Sequence, residues 1–410
     1  MVRAIAYFDN SAEYCIHFYR VIPEIDKTVD GFMDRLKILL FGDASNYHVT
    51  LAAALRELGH EATVISSGSS WMNTRRDIDL SRSAGMTGAV KYVAELLKLL
   101  PRLRGYDIVH LINPIFLDLR PGKVKMVFDY LRRNNRHVFL SAIGTDLCYV
   151  KACHDGTTFR YSDYLVGDRP SPYMLSEESK GQSNWFLPEM ERYSEYFLSH
   201  IDGAVACLYE YYAAYSKRLP KEKLAYGGIP IDTDAIEPNI ITETPGRVRF
   251  FIGIQRSRTV LKGTDLLLAA LKRTCDRFPG RCEMRVVENV PYADYVKLMS
   301  ESHVILDQLY SYTPATNALL GMARGLVAVS GAEPEFYDFI GEHDCKPIVN
   351  VSPLIDGDID TKLAWIVNNR DKLPALSKMS REFVVKHNDS RKVALRHLDF
   401  WNKIINNNDA

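Results

Sequence analysis

Apolar strands and amphipathic helices alternate along the chain from Leu36 onward. The strand LKILLF (36–41) leads into a helix that keeps apolar residues at helical spacing as far as Gly59. Further apolar strands follow, each before or after a helical stretch: EATVIS, YDIVHLIN, HVFLSAIGTD and DGAVACL. Strands separated by helices of about 10–15 residues are typical of a parallel sheet covered by helices on both faces. The first half of the chain is therefore predicted to form a doubly wound α/β domain.

A second α/β unit begins at Val248, after the polar stretch IEPNIITETPG, which has the composition of an inter-domain linker. Its predicted strands are RFFIGI, CEMRVVE, HVILDQ, LVAVSG and KPIVNV. After Pro353 the pattern predicts mostly helix. Ligands of such sheets bind at the carboxyl ends of the strands, so two facing units predict a cleft between the domains.

The less regular segments set the predicted domain boundaries. Residues 1–32 show no sustained period, and Met33 resembles an ordinary protein start, so we expect 1–32 to be a dispensable appendage. The first domain is predicted over 33–240, the second over 247–385, and a C-terminal helix over 386–410. Between Tyr149 and Pro188 the periodicity fades, which predicts a long functional loop or lid.

Composition excludes several classes of function. Lys plus Arg and Asp plus Glu both number 51, and this zero net charge argues against general nucleic-acid binding, which needs a basic excess. The seven cysteines show no metal-ligand spacing, so we predict no metal and expect buried thiols in a reducing compartment. The chain has no apolar run of about 18 residues and no signal-peptide layout, so we expect a cytoplasmic protein.

Three cations cluster where the strand RFFIGI ends and the next helix begins: Arg256, Arg258 and Lys262. A helix N-terminus favours an anion, because its first amides are unpaired and the helix dipole is positive there. This cluster predicts a diphosphate ligand. The alternative interpretation is a solvated basic loop.

Several motifs, taken in order, resemble one family of enzymes. They are FGDASNYH after the first strand, YGGIPID, RSRTVLKGTDLLLAAL, and the block DQLYSYTPATNALLGMARG with the following LVAVSGAEPEF. Over roughly residues 36–405 this layout resembles the GT-B glycosyltransferases. It is most similar to the retaining, group 1 type found among bacterial surface-polysaccharide enzymes. The resemblance implies two Rossmann-like domains that face a cleft.

The resemblance also assigns roles to single residues. Arg258 and Lys262 are implied to stabilise the diphosphate leaving group of a nucleotide-sugar, with Arg256 as the substitute for Arg258. Asp146 resembles the acceptor-side aspartate of the family, although a turn residue is the alternative interpretation. Gly42 lies where the backbone is expected to approach a ligand closely. No cofactor is implied beyond the nucleoside-diphosphate sugar, which is a co-substrate.

One departure from the family pattern concerns two glutamates that usually lie eight positions apart. Counting back from Gly325, Tyr312 and Leu320 occupy those positions, which puts the usual contacts to the donor in doubt. The intervening residues still offer backbone amides and hydroxyls to a phosphate at a helix N-terminus; they are Thr313, Pro314, Ala315, Thr316 and Asn317. Glu335, or its neighbour Glu333, is predicted to contact the donor, with a solvated loop as the alternative.

Three residues have structural interpretations that compete with functional ones. Asn46 is predicted to be a helix N-cap, His110 a packed core histidine, and Tyr312 part of an aromatic core.

The expected partners are a nucleotide-sugar donor and a saccharide or lipid-linked acceptor. Helix 89–104 and residues 120–136 are basic, which would suit peripheral contact with an anionic membrane, although an ordinary charged helix face is the alternative that we favour. We therefore predict a glycosyltransferase of surface-polysaccharide synthesis. The alternatives are a sugar-nucleotide epimerase and a non-catalytic sugar-nucleotide binder.

Overall fold

The computed structural model of the chain describes residues 35–68, 75–288 and 290–408. The predicted appendage, residues 1–32, lies outside the described residues. Leu36–Ala410 forms one compact unit. Within the described ranges, no helix combines the length and the hydrophobicity that crossing a bilayer requires.

The first half of the chain forms a seven-stranded parallel sheet. The strand order is β3-β2-β1-β4-β5-β8-β9, and a separate two-stranded hairpin is formed by β6 and β7. The strands are β1 (Lys37–Phe41), β2 (Glu61–Ser66), β3 (Ile78–Asp79), β4 (Ile108–Leu111), β5 (His137–Ala142), β6 (Leu165–Val166), β7 (Arg169–Pro170), β8 (Gly203–Ala206) and β9 (Leu224–Tyr226). Between β1 and β4 the direction of winding reverses, which is where such sheets bind ligands.

The second half forms a five-stranded parallel sheet with the order β11-β10-β12-β13-β14. Its strands are β10 (Val248–Ile254), β11 (Cys282–Glu288), β12 (Val304–Leu306), β13 (Val327–Ser330) and β14 (Val349–Asn350). The winding reverses between β10 and β12. The predicted architecture of two doubly wound sheets is confirmed.

Helices cover both faces of the sheets. They are α1 (Tyr47–Glu57), α2 (Gly85–Leu99), α3 (Pro121–Asn134), α4 (Leu147–His154), α5 (Pro188–His200), α6 (Tyr209–Tyr215), α7 (Thr259–Lys262), α8 (Thr264–Arg277), α9 (Tyr292–Ser300), α10 (Thr316–Ala323), α11 (Pro334–Ile340), α12 (Asp358–Asn368), α13 (Leu373–His387) and α14 (Ser390–Asn408).

The predicted loop from Tyr149 to Pro188 is partly wrong. Its first six residues belong to α4, because Asp146 caps that helix by accepting a hydrogen bond from the Tyr149 N–H at 2.9 Å. Residues 155–187, which we call the strap, hold only the β6–β7 hairpin and two short 3-10 turns, at 177–179 and 182–186. The strap is nevertheless packed, since Tyr161 and Tyr164 are buried in an aromatic cluster with Tyr312.

The chain crosses between the sheets twice at one place. It leaves the first sheet after β9, and it returns after α13, so that α14 packs on α1 of the first sheet. The two crossings are hydrogen-bonded side by side: the Ile231 N–H donates to the Asn388 carbonyl at 2.7 Å, and the Ser390 N–H donates to the Ile231 carbonyl at 2.9 Å.

The core of the first domain contains His110, as predicted. It is fully buried on β4, and neither ring nitrogen has a hydrogen-bond partner among the described residues. His48 and His397 lie beside it, both at 5.6 Å between ring centroids. The N-cap prediction for Asn46 is right in position but wrong in role. Its side chain makes no capping bond, and Asp43 instead accepts from the His48 N–H at 2.8 Å.

Candidate active site

A cavity of about 770 Å³ lies between the two sheets, at the carboxyl ends of their strands. From the first sheet it is lined by the segments that follow β1, β5 and β8, including Ser45, Thr145 and Cys207. From the second sheet it is lined by the ends of β10 and β11 and by the segment after β12. Both winding reversals therefore face the same cavity, the arrangement in which doubly wound sheets bind ligands.

The predicted basic run lines this cavity, but its three cations differ in their partners. Arg256 pairs with Glu288 of β11. Arg258 is exposed and forms no ion pair with any described residue. Lys262 is three-quarters buried, with its Nζ 3.9 Å from Asp307 Oδ1. Arg258 and Lys262 are therefore better placed to meet an anion than Arg256 is.

Gly263 fixes the position of Lys262. Its φ is +68°, and a Cβ there would lie 2.8 Å from the Leu309 Cβ, so only glycine fits without displacing the neighbouring segment. The Lys262 carbonyl in turn accepts from the Leu309 N–H at 2.9 Å. The basic run is thus fastened to the segment after β12, and the two parts of this wall are held together.

The start of α10 contributes three of the predicted residues to the cavity: Ala315, Thr316 and Asn317. Asn317 donates to Asp307 Oδ1 at 3.2 Å and accepts from the Tyr295 hydroxyl at 2.8 Å. The second oxygen of Asp307 is buried without a hydrogen-bond partner among the described residues. The amides at the start of α10 and the Lys262 ammonium therefore lie on the same wall as one buried carboxylate.

The wall from the first domain carries two carboxylates, Asp163 of the strap and Glu210 of α6. Burial raises the pKa of Asp163 to about 6, against the hydrogen bond from Tyr149 and the charge of Arg258, which lower it. Burial also raises the pKa of Glu210. All four cations of the cavity belong to the second domain, whereas these two acids belong to the first.

Glu210 joins the two domains. Its carboxylate accepts from the Tyr312 N–H at 2.6 Å, the Thr313 N–H at 3.1 Å and the Thr313 hydroxyl at 2.6 Å. Thr313 is fully buried, and neither it nor Pro314 lines the cavity. The structure therefore assigns these amides to Glu210, and only the later part of the predicted segment faces the cavity.

Three other predicted site residues lie away from the cavity wall. Asp146 is buried, caps α4, and accepts from the Tyr215 hydroxyl at 2.7 Å; burial raises its pKa to about 6. Gly42 has a φ of +85°, and a Cβ there would meet the Ile112 side chain at 2.2 Å, so an internal contact explains the glycine. Ligand contacts by both residues stay predictions.

Glu335, the third, pairs with Arg160 of the strap at 2.9 Å. Its neighbour Glu333 is buried and accepts from Arg160 at 2.6 Å and from the Tyr161 hydroxyl at 2.7 Å. Tyr312 packs as predicted in an aromatic core, with its ring stacked on Tyr161 at 4.9 Å, and its hydroxyl accepts from the Arg160 N–H at 2.6 Å. The strap thus fastens the first domain to the segments after β12 and β13.

Among the charged residues that line the cavity, sequence reasoning missed three: Arg324, Asp163 and Glu210. Arg324 donates to the Leu320 carbonyl at 2.8 Å, and burial lowers its pKa. Arg324 directly follows α10 and belongs to the motif DQLYSYTPATNALLGMARG, so its position in that motif could have indicated it as a site residue. Asp163 and Glu210 lie in segments with no motif, and only the tertiary fold brings them to the site.

Comparison with known proteins identifies the fold. No protein-family profile matches the sequence, and no curated protein matches it either. Among solved structures, sucrose-phosphate synthase from Thermosynechococcus elongatus superposes with a TM-score of 0.60 at 13% identity, covering 90% of this chain and 99% of that one. HepE from Anabaena, in complex with UDP and glucose, gives a TM-score of 0.57 at 12% identity, covering 90% and 100%.

A third similar structure is WaaG, a glycosyltransferase involved in lipopolysaccharide biosynthesis. It gives a TM-score of 0.53 at 12% identity and covers 88% of this chain and 98% of that one. The two parallel sheets, the cavity between them and these superpositions define one class of fold. The chain has the GT-B fold of glycosyltransferases.

Proposed function

We propose that the protein is a glycosyltransferase that moves a sugar from a nucleoside diphosphate to a saccharide acceptor. The observation that carries this proposal is the division of charge in the cavity. Arg258, Lys262 and Arg324 lie on the wall of the second domain, beside the first amides of α10, which have no partner within the helix. A diphosphate has the charge and the size to fit that wall, which leaves the first domain to receive the acceptor.

The chemistry that we propose needs no protein nucleophile. The bond between the anomeric carbon and the diphosphate oxygen breaks, the acceptor oxygen bonds to that carbon on the same face, and the acceptor proton passes to the departing phosphate. Negative charge grows on the leaving group during this step. Fixed cations such as Arg258 and Lys262 stabilise that charge more in the transition state than in the bound donor, which is how they would accelerate the reaction.

The experiment that tests the proposal starts with binding, since the nucleotide is unidentified. Thermal unfolding is measured with UDP, GDP, ADP, CDP and their common sugars, because a ligand that binds only the folded state raises the unfolding temperature. We expect one nucleoside diphosphate series to raise it, and turnover of the matching sugar donor to release the free diphosphate. No shift with any member of the panel would contradict the proposal.

Contact with a membrane belongs to the same proposal, because α2 presents an apolar row to solvent. Met86, Val90, Val93 and Leu97 recur at helical spacing and are exposed, and Met126 of α3 is also 63% exposed. Exposed cations on the same two helices and their ends include Lys91, Lys98, Arg102, Lys123 and Arg133. Apolar residues flanked by cations suit an anionic lipid surface that holds a lipid-linked acceptor.

Vesicle co-sedimentation tests this surface. We expect binding to phosphatidylglycerol vesicles, weaker binding at high salt, and none to phosphatidylcholine alone. The double variant Met86→Ser, Leu97→Ser should lose binding. The matched control, Met284→Ser with Val286→Ser, changes two exposed apolar residues on β11 and should keep it. Equal loss in both double variants would refute the proposed surface.

A second candidate function is a non-catalytic sugar-nucleotide binder. It is favoured by Tyr312 and Leu320, which stand where similar enzymes carry glutamates, and by the commitment of Glu333 to Arg160 and Tyr161. A binder would take up the nucleotide-sugar and leave it intact. A transferase would hydrolyse it slowly without acceptor and consume it faster once an acceptor extract is added.

A further inference from the structure

The strap places a carboxylate on the backbone of the basic run, between Arg258 and Lys262 in the sequence. Glu178 accepts from the backbone N–H groups of Val260 and Leu261, at 3.2 Å and 3.0 Å. These two residues follow Arg258 by two and three positions and directly precede Lys262. An anion belonging to the chain itself therefore occupies backbone donors of the basic run. Two adjacent N–H groups that share one carboxylate are a typical anion cradle.

The other end of the strap is anchored by charges of the opposite sign. Arg160 of the strap reaches Glu333 at 2.6 Å and Glu335 at 2.9 Å, both on the second domain. The Tyr161 hydroxyl adds a bond to Glu333 at 2.7 Å. Buried Glu333 is also held by Asn350 at 3.0 Å, so this anchor is built into the second domain. The strap is thus fixed at Arg160 independently of Glu178.

We propose that Glu178 closes the diphosphate subsite as an internal competitor, and that the incoming diphosphate displaces it and frees that end of the strap. This inference rests on the proposed function, since the displacing ligand is the diphosphate of the donor. A diphosphate carries more negative charge than one carboxylate, so Arg258 and Lys262 attract it more strongly. The Arg160 anchor keeps the freed strap beside the cavity, where Asp163 remains part of the wall.

The opposite role for Glu178 makes a different prediction. If the carboxylate only orders the basic run, its removal leaves the cations less well placed and weakens the binding of a diphosphate. If it competes, its removal strengthens binding. The sign of the change in affinity therefore separates the two roles.

The test uses the full chain with Glu178→Gln, which keeps the size of the side chain and removes its charge. The matched control is Glu177→Gln, since Glu177 is the neighbouring carboxylate, is 85% exposed and pairs with the exposed Lys180. Calorimetry with inorganic pyrophosphate and with UDP at low salt measures the affinities. We expect Glu178→Gln to bind pyrophosphate about three- to tenfold more tightly than the parent, and Glu177→Gln to bind as the parent does.

Hydrogen exchange without ligand provides the second measurement. In Glu178→Gln the peptides covering 256–263 and the part of the strap around Glu178 should exchange faster than in the parent, while peptides covering Arg160 keep their protection. Equal or weaker pyrophosphate binding in Glu178→Gln, or unchanged exchange, would overturn the inference. If the parent itself binds no diphosphate, the proposed function falls and the displacement falls with it. Binding in the parent without tightening in the variant defeats only the role of Glu178.

Discussion

At the scale of single residues, the basic run shows that neighbouring cations of one motif have different availability. Arg256 forms an ion pair with Glu288, whereas Arg258 has no ion pair in the described ranges. The Lys262 Nζ lies 3.9 Å from Asp307, whose other carboxylate oxygen has no hydrogen-bond partner among the described residues. This contact holds the ammonium in the cavity and leaves N–H donors for a ligand, since a lysine has three. The ranking of the three residues comes from their partners and not from their spacing in the sequence.

This ranking leads to a prediction about affinity. A hydrogen bond to a charged group contributes about 1.5–3 kcal/mol. At about 1.4 kcal/mol per tenfold, Arg258→Ala or Lys262→Ala should weaken nucleoside diphosphate binding by about one to two powers of ten. Arg256→Ala, the matched control, should change it much less. Calorimetry with nucleoside, monophosphate and diphosphate checks this, because the nucleoside should bind all variants alike. Equal losses for all three ligands would mean that the residues are structural.

Some residues of the candidate site could be predicted from the sequence, and others could not. The basic run and the start of α10 could be predicted, because in each case the polar residues follow a recognisable strand within a few positions of the sequence. Glu210 could not, since its partners Tyr312 and Thr313 are about one hundred positions away. Arg160 and Glu333 are 173 positions apart, and neither has a local pattern that names the other. Contacts of this range appear only once both sheets are folded.

At the scale of elements, helices and strands with a sustained period were predicted, and two short strands without one were not. β3 and β9 have only two or three residues, too few for a period to show. Most of α4 was predicted as loop, because the start of this helix depends on a cap and its buried face depends on tertiary contacts. Asp146 accepts hydrogen bonds from the Tyr149 N–H and from the Tyr215 hydroxyl. The lid predicted at 149–188 is therefore shorter and better ordered than its composition indicated.

The cap of α4 gives a prediction that also tests Asp146 as a catalytic residue. Asp146→Ala removes an N-cap and leaves the buried Tyr215 hydroxyl without its acceptor, so the free energy of unfolding should fall by about 1–3 kcal/mol. Asp146→Asn keeps an oxygen for the Tyr149 N–H and should recover most of that loss. Chemical denaturation of both variants measures it. A fully stable Asn variant that has lost turnover would support the acceptor-side role predicted from the sequence.

At the scale of the whole molecule, three buried histidines join elements that are far apart in the chain: His48 of α1, His110 of β4 and His397 of α14. Burial lowers the pKa of His48 to about 3 and that of His397 to about 4. Burial also lowers the pKa of His110, with the neighbouring histidines adding to the effect. Each is neutral in the folded protein at pH 7, while an unfolded histidine titrates near 6.5.

The sign of the resulting pH dependence follows from proton uptake. Between the lowered pKa values and about pH 6.5 the unfolded chain binds more protons, so the histidines make the free energy of unfolding fall as the pH falls through that range. Buried carboxyls with raised pKa values, such as Asp43 and Asp163, act in the opposite direction between about pH 6 and 4. A comparison of variants is needed to isolate the histidine contribution.

The variant His110→Leu isolates the histidine contribution to the pH dependence of stability, because the substitution removes a titrating ring that has no hydrogen-bond partner in the described part of the chain. We expect the variant to be more stable at pH 7, by about 1–3 kcal/mol, since the burial of an unsatisfied polar group is removed. Its stability should also fall less between pH 6.5 and 4 than that of the parent. His343→Leu, at an exposed histidine, is the control. Parallel pH profiles for the parent and His110→Leu would refute this account of acid lability.

We also expect the proposed sugar transfer to proceed without a metal ion. The carboxylates of the first-domain wall are committed to protein donors, Glu210 to Thr313 and Asp163 to Tyr149, and the cations of the other wall can neutralise a diphosphate. We therefore expect turnover to survive excess chelator without loss. Activity that disappears with chelator and returns with Mg²⁺ or Mn²⁺ would contradict this.

The paired crossings at Ile231 and Asn388 have a mechanical consequence. Because the two covalent connections between the sheets are bonded to each other along a short ladder, they constrain the sheets at one line and not at two separated points. The covalent connections alone would therefore allow the two sheets to turn about that line, and the bonds of Glu210 and of the strap across the cleft oppose such a turn. Displacement grows with distance from the line, so a turn that barely disturbs Ile229 at the cavity moves remote segments the furthest.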